Sequence, residues 1–368
     1  MPSLINRGRL KQDCLTMPDS DHLSDNYPEL SRRLRKISLA ILPTPVNKAR
    51  ITIANRHFDL SIKNDGATGD IYGGNKVRKL EYALGPAIRK KKHRVATFGA
   101  VGSNHALATA LYANQLGLRC TCFLVHQSPT VSTAEMLKRH LANGTILVRF
   151  GGSYAKRISV LRQYLGDRQS WVVPAGGSSW LGSVGFVNAG LELAAQIKHG
   201  DVAMPDRLYV ATGTMGTAAG LGIGLRLAGL ETEVHAVRVS MTHIASDERL
   251  ERLIHKISLM LRRLDPSIPE DLASTTKVKM RHGFFAGGYA HSDRATDDAI
   301  SLASRQLGLA LEPTYTGKAM AALLHDLPRA ADERLMFWNT YSSAPTPIIE
   351  QSRLDFDLLP DEFRRYVD

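Results

Sequence analysis

The sequence predicts an α/β protein built on parallel sheet, and three observations carry that expectation. Apolar runs alternate with helical patterns, turn residues fall between them, and 43% of the 368 residues are apolar against 22% charged. Such a chain buries a core, and the composition excludes a disordered protein. From Arg94 the first series reads as a strand at Val95 to Phe98, a helix from Asn104 closed by Gly117, and a strand from Cys120 to Val125. It continues with a helix at Ser132 to Leu141, an Asn143-Gly144 turn, a run at Ile146 to Phe150, a helix after Tyr154 closed by Gly166, and Trp171 to Val173. Repeated βα units of this kind make a parallel sheet.

A second series follows: a helix near Val184 to Ile197, a strand at Arg207 to Ala211, a Gly/Thr loop, a helix to Leu227 closed by Gly229, and a strand at Val234 to Val239. Then Leu250, Leu253, Ile254, Ile257, Leu261 and Leu264 form one apolar stripe, which Asp265-Pro266 ends. The stripe is expected to pack in the core. At ~150 residues per domain the length suits two domains. Residues 1 to 34 are polar and aperiodic and read as a loosely attached arm.

The 47 Lys plus Arg exceed the 35 Asp plus Glu, giving +12. Either nucleic acid or an anionic small ligand would suit that balance. The densest basic run, Arg89 to Arg94, ends a helix and reads as a solvated face. No apolar stretch approaches the ~18 residues of a membrane span. Arg7, Arg9 and Lys11 are not followed by the apolar run of a secretory signal. Cys14, Cys120 and Cys122 are too few for a disulfide framework, so a cytoplasmic protein is expected. The histidines show no metal-binding spacing, and there is no Gly-x-Ser-x-Gly elbow.

Three segments carry chemistry. In Gly73-Gly74-Asn75-Lys76 the glycines permit close backbone approach, and the spacing of Val77, Leu80 and Leu84 starts a helix there. Lys76 then sits at the positive end of a helix dipole, where a depressed pKa would make it a nucleophile for a carbonyl and a general base. A phosphate-loop reading fails, because Asn75 follows Gly74 and Val77 follows Lys76. The segment Gly213-Thr214-Met215-Gly216-Thr217 lies between a strand and a helix, and its backbone N–H groups and Thr hydroxyls suit one phosphate. Its glycine spacing is not that of a dinucleotide fingerprint. Gly102-Ser103-Asn104-His105 also joins strand to helix, where capping and carboxylate binding both use the helix N-terminus.

Together with Leu42-Pro43-Thr44-Pro45, Pro174 to Ser179 and Tyr315-Thr316-Gly317-Lys318-Ala319-Met320, these segments resemble one family. It is the pyridoxal-phosphate enzymes of the tryptophan-synthase-β fold type, fold type II, and within it the D-cysteine desulfhydrase and 1-aminocyclopropane-1-carboxylate (ACC) deaminase group. The resemblance covers most of residues 40 to 345. It implies two open, twisted, mostly parallel sheets flanked by helices. A small domain, 79–180, would be inserted into a larger one, 35–78 with 181–368, and pyridoxal 5'-phosphate (PLP) would lie in the cleft between them. It further implies that Lys76 forms the Schiff base and that Asn75 or Asn104 lies near the phenolic oxygen. Gly213, Thr214, Met215, Gly216 and Thr217 would hold the phosphate, and Thr316 the pyridine nitrogen. Ser103, Asn104 and His105 would hold the substrate carboxylate, with Tyr289 and Tyr315 positioning the substrate or protonating the leaving group.

The implied activity is β-elimination from a small amino acid, giving pyruvate, ammonia and sulfide, in a homodimer without nucleic-acid or membrane partners. ACC deamination, another β-elimination, and a non-catalytic PLP-fold binding protein are the alternatives. Thr316 and Thr340 match the desulfhydrase pattern. Gly102, Leu107, Ala108, Met215 and the Tyr341-Ser342 pair depart from the family's usual residues and are expected to reshape the pocket.

Overall fold

The computed structural model describes residues 21–165, 169–330, 332–347, 349 and 354–367. Residues 1–20, with Cys14, and the expected helix stop Gly166 lie outside them. The described strands are β1 (Val46–Ile53), β2 (Arg56–Asn64), β3 (Arg94–Ala100), β4 (Arg119–Val125), β5 (Ile146–Arg149), β6 (Ser170–Val173), β7 (Arg207–Thr212), β8 (Glu233–Arg238), β9 (Val278–Arg281) and β10 (Leu335–Asn339). They form a six-stranded sheet, ordered β1-β2-β10-β7-β8-β9, and a four-stranded sheet, ordered β5-β4-β3-β6. All pairings are parallel except β1 with β2. Two mostly parallel sheets flanked by helices are thus the architecture.

In the large sheet successive side chains point to opposite faces, and both faces are covered. Leu208, Val210, Val234, Ala236, Met336 and Trp338 share one core with the helices Trp180–His199, Gly216–Leu227 and Asp247–Leu264. Tyr209, Ala211, Val237, Leu335 and Phe337 face the helices Arg294–Leu307 and Thr316–Asp326. Leu250, Ile254, Ile257 and Leu261 are buried, so the apolar stripe is core packing. Cys120 and Cys122 are buried free thiols. The hairpin β1–β2 turns through Ala54 and Asn55, both left-handed (φ 48° and 60°), as a two-residue hairpin requires.

Two segments depart from expectation. Residues 21–34 are not a loose arm: the helices His22–Asn26 and Pro28–Leu34 bury Leu23, Leu30 and Leu34 in the large core. The Leu23 N–H also donates to Asn188 Oδ1 at 2.8 Å. Near the other end, Leu354, Leu359, Phe363 and Tyr366 pack with Val95, Cys120 and Leu124 of the small sheet, although that stretch was expected with the large unit. Apolar burial outweighs sequence adjacency in both cases.

Candidate active site

A cavity of about 590 Å³ opens where the C-terminal ends of β3, β7 and β10 meet the start of the helix Asn75–Arg89. Open parallel sheets place ligands at such strand ends. The glycines before Lys76 are required by crowding: a Cβ on Gly73 would stand 1.9 Å from the Gly66 carbonyl oxygen, and Gly74, at φ 85°, approaches the Thr340 carbonyl. The Asn75 N–H donates to Thr340 O at 3.2 Å, and its Nδ2 to Thr217 Oγ1 at 3.1 Å. Lys76 therefore projects into the cavity from an anchored turn. Its ammonium makes no ion pair among the described residues, and burial lowers its pKa to about 8, with the Glu312 charge opposing. Burial supplies the activation that the helix terminus was expected to provide.

The Gly213–Thr217 loop is assembled with partners the sequence did not reveal. Met215, at φ 65°, caps the helix Gly216–Leu227, and the Gly216 N–H donates to Ser178 Oγ at 3.3 Å. Ser178 Oγ is also 2.7 Å from Thr214 Oγ1 and 3.1 Å from Lys79 Nζ. Gly213, Thr214, Met215 and Thr217 line the cavity, and Gly216 does not. Lys79 lines it too, buried, its pKa pushed well below the usual value by burial and by Lys76. The three-residue spacing of Lys76 and Lys79 on a helix was the available signal.

Ser103 caps the helix Asn104–Gln115, its Oγ accepting from the Ala106 N–H at 3.2 Å, and Asn104 Oδ1 accepts from the Tyr72 hydroxyl at 2.6 Å. Both line the cavity. His105 also borders it but is only 2% exposed, with Nε2 3.0 Å from Thr97 Oγ1, and burial holds it neutral. Gly102 leaves room for a neighbour: its N–H donates to Gln127 Oε1 at 3.1 Å, and a Cβ there would stand 2.7 Å from Gln127 Nε2. Tyr366 in turn fixes that loop, donating from its hydroxyl to Gln127 O at 2.9 Å and accepting from the Gln127 N–H.

The hydroxyls of Tyr289 and Tyr315 lie 2.7 Å apart, and burial raises both pKa values. Thr316 begins the helix Thr316–Asp326, where Glu312 accepts from the N–H groups of Thr314, Tyr315 and Thr316 at 2.7 to 2.9 Å. Glu312 also lines the cavity, so a carboxylate stands beside the expected neutral hydroxyl. Tyr341 lines the cavity as well, and Ser342 Oγ accepts from the Gly73 N–H at 2.8 Å. Glu312, Tyr341 and Ser342 are thus part of the cavity lining.

The donor set fits a phosphate-bearing aldehyde: two lysines without ion pairs among the described residues, the Thr214 hydroxyl on the cavity wall with Ser178 Oγ bonded to it, and a helix N-terminus. The fold and the donor set suit an α/β enzyme with an anionic cofactor. The chain belongs to the family of pyridoxal-phosphate dependent enzymes, whose model matches residues 37–340. It is similar to a D-cysteine desulfhydrase from Salmonella paratyphi A, 32% identical over 305 residues, which span 79% of this chain and 88% of the relative. The solved structure of an ACC deaminase homologue matches with a TM-score of 0.70 at 26% identity, covering 90% of this chain and 97% of that one. The fold recurs in a hydrogen sulfide-producing enzyme from Fusobacterium nucleatum, with a TM-score of 0.57 at 15% identity, covering 87% and 89%. Among the described residues no helix is long and apolar enough to cross a membrane.

Proposed function

We propose that this protein is a PLP-dependent β-eliminating lyase that converts D-cysteine, with one water, to pyruvate, ammonia and sulfide. The observation that carries the reading is Lys76, held in the cavity without an ion pair among the described residues and with its pKa lowered to about 8. Bound here, the cofactor supplies an electron sink for charge developing at the substrate Cα. The neutral amine of Lys76 would hold the cofactor and, once freed by the incoming substrate amine, would accept the Cα proton. Ser103 and Asn104 hold the substrate carboxylate, while His105 supports their turn from behind. Thr214, Lys79 and the backbone of Gly213, Met215 and Thr217 would receive the phosphate, with Ser178 and the Gly216 N–H behind them. Asn75 and Thr316 would hold the ring, and the Tyr289–Tyr315 pair would hand a proton to the departing sulfur. The inserted unit 79–180 forms one wall of the cleft, and the working state is a cytoplasmic homodimer.

The test is to assay the purified holoenzyme on D- and L-cysteine and on ACC, beside Lys76→Ala. The wild type is expected to release pyruvate and sulfide from D-cysteine, and the variant to lose both the bound cofactor's visible absorbance and roughly 10³-fold or more of the turnover. Lys76→Ala that retains absorbance and rate sinks the proposal. The Glu312 carboxylate beside Thr316 favours a second reading, opening of the ACC ring, because a nearby negative charge stabilises a protonated pyridine. Release of 2-oxobutyrate from ACC, with no pyruvate from D-cysteine, would select it.

A further inference from the structure

One arm of the cavity is built of rings. Phe98 on β3 is paired in register with Phe123 on β4, and Phe123 with Val148 on β5, two residues before Phe150. All three rings therefore rise from one face of the small sheet. Phe98 and Phe123 stack with centroids 5.1 Å apart, and Phe150 meets them edge-on at 5.3 and 5.8 Å. All three line the same cavity as Lys76. Phe123 is fully buried, whereas Phe98 and Phe150 are half-buried, so the cluster keeps an open side.

The same cavity is lined by Met241 and Ile244, from the segment after β8. With Val125, they are large apolar side chains that stay exposed, by 46%, 39% and 41%, and all three line this cavity. Isolated exposed apolar residues need no explanation, but several converging on one concavity mark a binding surface.

The arm is stitched to the reacting groups from both sides. β3 runs from Phe98 through Gly99 and Ala100 into the turn that carries Ser103 and Asn104. Met241 follows Ser240, whose hydroxyl donates to Gly213 O in the phosphate loop at 2.7 Å. A substrate with its carboxylate at Ser103 and Asn104 has its β-substituent within this neighbourhood. His126, Gln127 and His243 are the polar members; Gln127 Oε1 is already engaged by the Gly102 N–H, and His126 Nδ1 lies 3.0 Å from the Tyr366 hydroxyl. No Asp, Glu, Lys or Arg lines the cavity beside the rings, and the Arg157 guanidinium stands 5.9 Å from the Phe150 ring centre. A bare thiol would leave this wall wet, whereas an apolar substituent removes it from water.

Resting on the lyase reading above, we infer that the arm receives the β-substituent and that the preferred substrates are cysteine S-conjugates bearing an apolar, aromatic-sized group. The reaction keeps its balance: the Cα proton is removed, the Cβ–S bond breaks with its electron pair on sulfur, and the thiolate leaves and takes up a proton. The three-carbon remainder, with one water, ends as pyruvate and ammonia. No oxidant or reductant enters.

The experiment measures kcat/KM for pyruvate release by the holoenzyme from S-benzyl-cysteine and from cysteine, each as both enantiomers. The S-benzyl substrate is expected to lead by roughly tenfold or more, since apolar pockets discriminate by that order. Met241→Glu, at an exposed position where folding is not at stake, is expected to erase the lead through KM. Phe150→Leu is expected to narrow it. Efficient turnover of D-cysteine with rejection of S-benzyl-cysteine overturns the inference alone and assigns the rings to closure of the two cleft walls. Absence of pyruvate from every cysteine derivative overturns the lyase reading itself.

Discussion

The helix Asn75–Arg89 carries buried cations on two faces, and their surroundings differ in one respect. Toward the interior, Arg78 donates to both oxygens of Asp65 at 3.0 and 3.1 Å and to both oxygens of Glu192 at 2.9 Å. Lys63 adds a 2.5 Å bond to Glu192, and the Trp338 indole N–H caps Asp65 at 2.8 Å. Burial works to raise the Glu192 pKa, but Arg78 and Lys63 outweigh it and hold the carboxyl well below its usual range. Toward the cleft, Lys76 and Lys79 make no ion pairs among the described residues, and burial lowers both. The inner network is complete without any ligand, whereas the outer pair is complete only when an anion and a carbonyl arrive. The difference separates residues that hold the helix in place from residues the helix is there to present.

The largest effect should come from opening the closed side. Arg78→Met leaves Asp65 and Glu192 buried with Lys63 as their one remaining close cation. Removing one partner of a buried ion network costs about 3–5 kcal/mol. Urea unfolding of the apoprotein should show that loss, and cofactor binding should weaken as the Lys76 turn slackens. If Lys79→Met costs the same stability as Arg78→Met, the two faces are not different in kind.

Next in size is a pH effect on the open side. With Lys76 at about 8, the neutral amine is the minority form below that pH. The rate at which apoprotein captures PLP should therefore fall about tenfold per pH unit below pH ~8 and level off above it. Visible absorbance after rapid mixing reads this directly. The sign for stability is the same: the folded chain holds fewer protons than the unfolded chain between about 8 and the ordinary 10.5, so Lys76 favours folding increasingly as pH rises through that window. A capture rate independent of pH across this range would place the activated amine elsewhere.

The two faces were unequally legible in the sequence. Lys76 and the Gly213 loop stand at strand-to-helix junctions, where glycine, threonine and the onset of helical spacing are local signals. Tyr289 and Tyr315 came only from the resemblance, and their 2.7 Å contact joins residues from separate loops. Glu312, Ser178, Gln127 and Tyr366 reach the site through tertiary packing that no spacing announces. The inner network joins residues 44, 63, 65, 78, 192 and 338, which no window of sequence spans. The hairpin β1–β2 is not legible in the sequence, because an edge strand with a half-solvated pattern lacks the apolar run that marks the interior strands. Leu23, Leu30 and Leu34 also fall at helical spacing, but three apolar positions in a polar stretch read as an aperiodic arm, and only their packing against the large core shows the face they share.

The smallest effect is the sharpest discriminator between the faces. Lys79 is buried, bonded to Gly176 O at 3.2 Å and to Ser178 Oγ, and lowered well below its ordinary value by burial and by the charge of Lys76. A phosphate at Ser178 and the Gly216 helix terminus would restore its charge, so the lysine's contribution arrives with the ligand. Lys79→Met keeps the length and apolar stem, removes the charge, and forfeits a charge-assisted hydrogen bond of about 1.5–3 kcal/mol. PLP affinity of the variant should drop roughly 10- to 100-fold, while apoprotein stability shifts by less than about 1 kcal/mol or rises, since a buried polar amine has been replaced by an apolar side chain. Pyridoxal without its phosphate separates the causes: its affinity should hardly change, because Lys79 acts on the phosphate. Equal losses for the two ligands would mean that Lys79, like Arg78, supports the helix and not the cofactor.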